Sequence, residues 1–107
     1  MQDEKLHILY DYYGLLISFR QVENLPIKVY GVRGTLSSRA VIEFNKGLIS
    51  FKMDKSYKNS LDAEDTETLQ LLIERNISEI VKAWLDIFIY DLPWTTEVIR
   101  KNIREEL

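Results

Sequence analysis

The chain lacks cysteine altogether, which excludes disulfides and thiolate zinc sites. It has a single histidine, His7, so catalytic or metal arrangements built on a histidine pair are excluded as well. Its four glycines, Gly14, Gly31, Gly34 and Gly47, are scattered singly and never form a phosphate-cradling loop ahead of a helix. No apolar run approaches the roughly 20 residues that span a bilayer. A surplus of positive charge is also missing. The formal net charge of −3 argues against a general nucleic-acid binder, which carries a basic face. The start, "MQDEKLHILY", is charged and offers no small-residue cleavage site, so no secretory signal is expected and the protein reads as cytoplasmic.

What remains is ordinary globular material. A chain of 107 residues, 46% hydrophobic and 29% charged, is the size of one domain with one core, here residues 1–107. The first part, 1–58, speaks in period two. "LHILYD" (Leu6–Asp11) is a short apolar run, and "LLISFRQV" (Leu15–Val22) puts Leu15, Ile17 and Phe19 on one face. Gly14 turns between them. A strand opened by Pro26 follows (Ile27–Val32), then "RGTLSS" as a polar loop, then "RAVIEF" (Arg39–Phe44). "NKG" (Asn45–Gly47) reads as a three-residue hairpin turn into "LISFKMD", with Ile49, Phe51 and Met53 apolar. Four to five antiparallel strands result.

After Leu69 the period changes. Apolar residues at 69, 72, 73, 77, 80, 81, 84, 87 and 88 make the stripe of a long amphipathic helix within 62–92. Asp62 is the expected N-cap, and Glu64, Asp65 and Glu67 put negative charge at the positive end of the helix dipole. Asn76 either divides the segment into two helices or lies inside one; the stripe permits both. Pro93 ends the element, and Thr95 or Thr96 caps a short terminal helix over 95–106. The expected class is α+β: a small antiparallel sheet packed by a long helix, plus a short C-terminal helix.

No catalytic residue, metal ligand or cofactor follows from the pattern. His7 precedes an apolar strand, where packing explains it. Ser37, Ser38 and Ser56 fall in polar loops without a nucleophile-elbow setting. The acids at 62–67 are accounted for by capping, and they lack calcium-loop spacing. The surface is more informative. Tyr12 and Tyr13, in "YDYYG", together with Lys28, Tyr30 and Arg33 on the proline-led strand, compose an aromatic and cationic patch suited to a partner. Trp84 belongs to the helix stripe. Trp94 either seals the last helix onto the sheet or anchors a partner. The leading expectation is a non-enzymatic interaction or regulatory domain that engages a protein partner or itself, with no membrane association. The competing expectation is an RNA-acting protein, which requires Lys28, Tyr30, Arg33 and Arg39 to converge. A homodimer through a strand edge or the terminal helix is compatible with the first.

The order of "YYGLLISFRQVENLPIKVYGVRG", "AVIEFNKGLISF" and "ERNISEIVKAWLDIF" resembles the domain of unknown function 4160 family, over Tyr10 to Phe88. The family's proline-led strand typically reads Pro-His-x-His. Here Pro26 is kept, and Lys28 and Tyr30 stand where the histidines fall. The likeness therefore implies the fold more than any histidine chemistry. Family members resemble parts of small bacterial two-gene modules of toxin–antitoxin type, which implies a protein partner.

Overall fold

The computed structural model describes residues 6–20 and 25–90. Five strands, β1 (Leu6–Tyr12), β2 (Leu15–Arg20), β3 (Lys28–Arg33), β4 (Leu36–Asn45) and β5 (Leu48–Met53), form one antiparallel meander in the order β1-β2-β3-β4-β5. Helix α1 (Ala63–Trp84) follows and continues as a π-helical turn, Leu85–Ile89, closed by Tyr90 N–H donating to Leu85 O at 3.0 Å. The α+β expectation is met by the five-stranded sheet and the one long helix. The expected terminal helix over 95–106, and Trp94 with it, lie outside the described residues.

Period two assigns each strand residue to a face, and the register aligns those faces across the sheet. Ile17 is paired with Gly31, Val29 with Ala40, and Ile42 with Phe51. Leu15, Ile17, Phe19, Val29, Ala40 and Ile42 share one face and are buried, as are Leu69, Leu72, Ile73, Ile80 and Trp84 of α1. The helix stripe and this face are one core. Gly31 permits the closest approach of sheet to helix. A Cβ built there would lie 2.8 Å from a methyl carbon of the fully buried Leu69.

Two turns differ from expectation. Asn45 pairs with Leu48, so the β4–β5 loop is two residues, Lys46 (φ +51°) and Gly47 (φ +82°). Two successive positive φ angles mark a type I′ turn, whose twist matches that of the strands. Tyr13 and Gly14 repeat the pattern between β1 and β2, with φ of +49° and +90°. The polar loop expected over "RGTLSS" contracts to Gly34 and Thr35, because Leu36, Ser37 and Ser38 already pair with Arg33, Val32 and Gly31. Leu36, Ser37 and Ser38 at one end and Asn45 at the other thus extend β4 to ten residues.

At the helix start Asp62 accepts the Asp65 N–H at 2.7 Å, as a capping residue should. Asn76 is resolved as a kink inside a single element. Its φ of −127° and ψ of 22° leave the helical region. Its buried side-chain amide donates to Leu72 O at 2.8 Å. The side chain thus supplies locally what the distorted backbone gives up.

Candidate functional site

The strand "IKVYGVR" was expected to present Lys28, Tyr30 and Arg33 together. The register separates them. Lys28, Tyr30 and Val32 face away from α1, whereas Val29, Gly31 and Arg33 face it. An odd number of residues between two strand positions keeps them on one face; Tyr30 and Arg33 are separated by two. The Arg33 guanidinium donates from Nε to Asp65 at 2.6 Å and from Nη1 to Tyr13 O at 3.0 Å. It ties the β1–β2 turn to the first turn of α1, and the bond to Asp65 raises its pKa. Tyr12 is half-buried on the helix side, with its ring edge-on to Tyr13 at 4.8 Å. Tyr13 is 81% exposed. The five described members of the expected patch therefore divide between two faces and a turn.

Tyr30 is only 2% exposed, although it faces away from α1. Its cover is the segment between β5 and α1. Asp54 N–H donates to Arg39 O at 2.9 Å, continuing the β4–β5 ladder by one residue. The chain then bulges outward and returns to the β4 edge where Ser60 N–H donates to Ser37 O at 2.8 Å. Tyr57, carried on that excursion, lays its ring edge-on to Tyr30 with centroids 5.8 Å apart. Arg20 from β2 stacks over Tyr30 at 4.4 Å, and Arg39 from β4 lies over Tyr57 at 4.7 Å. The Tyr57 hydroxyl shares a 2.6 Å hydrogen bond with Ser37 and accepts one from Arg20 at 3.3 Å. Arg39 also donates to Asp54 at 2.7 Å and to the Tyr30 hydroxyl at 3.4 Å.

Asp54 anchors this cluster. The Ser56 hydroxyl, which donates to it at 2.6 Å, is the largest cause that holds its carboxyl down to about 2; the Ser56 N–H and Arg39 act in the same direction. Neither Arg20 nor Tyr57 stood out in the sequence. Arg20 shares the parity of Ser18, which marks it for the open face, but nothing local marks Tyr57 as its partner. Of the four groups an RNA-acting site would need to bring together, Arg33 lies on the opposite face and Arg39 is engaged with Asp54. Among the described residues no three histidine, cysteine, aspartate or glutamate side chains cluster as metal ligands. His7 lies within β1, its ring edge-on to Phe88 at 5.4 Å.

A different surface stands out at the end of the sheet holding the β4–β5 turn. Leu48 is 72% exposed, Phe44 56% and Ile49 39%. Leu25, also exposed, and Pro26 share a shallow groove with Phe44. Glu43 and Lys52 line the same groove and pair at 2.9 Å, a bond that raises the lysine pKa. No described helix is long and apolar enough to cross a membrane. No protein-family model, curated protein or solved structure matches the chain. The resemblance noted above accordingly stands on its own residues.

Proposed function

We propose that the chain is a non-enzymatic interaction or regulatory domain of a cytoplasmic protein, working through a protein–protein contact. The observation that carries this reading is the concentration of exposed Phe44, Leu48 and Ile49 on one hairpin. Single exposed apolar residues are commonplace, but Phe44 and Ile49 are cross-strand partners on the helix side, Leu48 is exposed beside them on the open side, and apolar side chains gathered at one end of a sheet mark an association surface. Tyr13, at the opposite end of the sheet, is a smaller second contact. Lys28 contributes charge to the open face, while Tyr30 and Arg33 act by holding the surface in shape. The resemblance to components of two-gene modules supports a regulatory setting. The separation of Arg33 from Lys28 and Arg39 speaks against the RNA-acting alternative.

The test is capture from native cell extract with the tagged full chain, with and without ribonuclease, beside a Phe44→Ser/Leu48→Ser variant that keeps the wild-type circular dichroism. Light scattering on the purified chain accompanies the capture. The expected result is a stoichiometric complex, with itself or with another polypeptide, that survives ribonuclease and is lost in the variant. Complexes unaffected by the substitutions, or RNA recovered in their place, would overturn the reading.

A further inference from the structure

The sheet has two edges, and they are not equivalent. β1 carries a register shift between Ile8 and Tyr10, a bulge of the kind that protects an edge from further pairing. β5 is regular: six consecutive residues from Leu48 to Met53 pair with β4 without interruption. A two-residue turn makes Asn45 and Leu48 a hydrogen-bonded pair, so Ser50 and Lys52 also bond to β4. The bond from Asp54 N–H to Arg39 O falls in the same series. The intervening residues, Ile49, Phe51 and Met53, therefore point their N–H and C=O groups away from the sheet.

We infer that β5 is a homodimerisation strand, pairing antiparallel with β5 of a second copy about a two-fold axis at Phe51 and forming a continuous ten-stranded sheet. This rests on the interaction-domain reading and names its partner. A two-fold axis requires residue numbers in opposed pairs to sum to one constant, and matching faces require that constant to be even. Centring on Phe51 sets Phe51 opposite Phe51 and Ile49 opposite Met53, so every outward backbone group of the strand finds a partner. The apolar side chains then meet on the helix side, where Ile49 is exposed and Phe51 and Met53 are half-buried.

Charge selects the same register. On the open face Lys52 meets Ser50 of the second copy, with Glu43 of that copy on the next strand behind the small serine. The two Lys52–Glu43 pairs merge into one alternating network across the axis. Moving the axis to Lys52 would oppose the two lysines, which disfavours that register. Moving it to Ser50 would set Met53 against Gly47 and Lys52 against Leu48, giving up an apolar pair and the contact with Glu43, so the axis at Phe51 serves backbone, apolar face and charge better than either neighbour.

The chain's lack of cysteine makes the register directly testable. Opposed residues in a hydrogen-bonded antiparallel pair have Cα atoms about 5.5 Å apart, within disulfide reach. Under mild oxidation Phe51→Cys should form a covalent dimer, whereas Lys52→Cys, opposed by Ser50, should cross-link at least tenfold more slowly. The wild-type chain should scatter light at twice its 12.7 kDa mass. Ile49→Pro removes an outward N–H and leaves the β4 ladder intact, so it should give a folded monomer with unchanged circular dichroism. Dimers that persist in a folded Ile49→Pro variant, or equal cross-linking at both cysteine positions, would overturn the assignment. A monomeric wild type that still captures another polypeptide through Phe44 and Leu48 would overturn this inference alone. A monomer that captures nothing would overturn the interaction reading with it.

Discussion

The two faces of the sheet are stabilised by different physics. Beneath α1, Phe19, Ile17, Val29, Ile42 and the helix stripe exclude water through apolar contact, which has little directionality. On the opposite face, Tyr30 is buried by a loop, two arginines and a second tyrosine, each held by hydrogen bonds or ring contacts of defined geometry. Loss on the first face scales with volume removed, whereas loss on the second depends on which bond is broken and on the charge of Asp54. Part of the open face is thus covered by a polar-rimmed aromatic cluster in place of a helix from among the described residues. At the β4–β5 hairpin end Phe44, Leu48 and Ile49 stay exposed.

The largest expected effect lies under the helix. Phe19→Ala, at a fully buried site, should lower the unfolding free energy by about 3–5 kcal/mol in urea titration. Gly31→Ala should come next, at about 1–3 kcal/mol, because its Cβ would press on a Leu69 side chain that has no exposed volume to retreat into. An unchanged midpoint there would mean that the sheet and helix are less tightly seated than the 2.8 Å approach implies.

On the open face Tyr57→Phe keeps the ring and removes the hydroxyl that Ser37 and Arg20 share. It should lower stability by about 1 kcal/mol. A loss equal to that of Phe19→Ala would erase the distinction between the faces. The smallest effect is a slope. Asp54 is held at about 2 against an ordinary 3.8, so its contribution is complete above pH 4 and is lost as the pH falls toward 2. Asp54→Asn should remove that contribution, so that the two stabilities differ most above pH 4 and converge near pH 2. Parallel profiles through that window would show that Asp54 is not what couples the cluster to protons.

Much of the covered face was legible from the sequence because it is written in period. The alternation of Leu15, Ile17 and Phe19 and the helical spacing from Leu69 to Phe88 each name a face without reference to anything distant. The same alternation could also have separated Arg33 from Lys28 and Tyr30, since one residue of parity reverses a side chain. The β4 start was hidden by composition: "LSS" after "RGT" reads as loop, and it becomes strand because its partner Gly31–Arg33 and the returning Ser60 fix its hydrogen bonds. The burial of Tyr30 had no local signature at all. It depends on Tyr57, which is carried by a non-repetitive segment.

The sequence by itself determined the two periods, the strand and helix identities they imply, the capping of α1 by Asp62 and the absence of thiol chemistry. These are properties of neighbours within a few positions, where backbone geometry alone links pattern to conformation. Tertiary structure decided which edge is left regular, where Asn76 bends the helix, and how Arg20 meets Tyr57 across 37 positions of chain. Those outcomes follow from the meander's register and the return of the 54–60 segment to β4. Contacts so distant in sequence are selected by cross-strand hydrogen-bond geometry and water exclusion, and neither leaves a period to read.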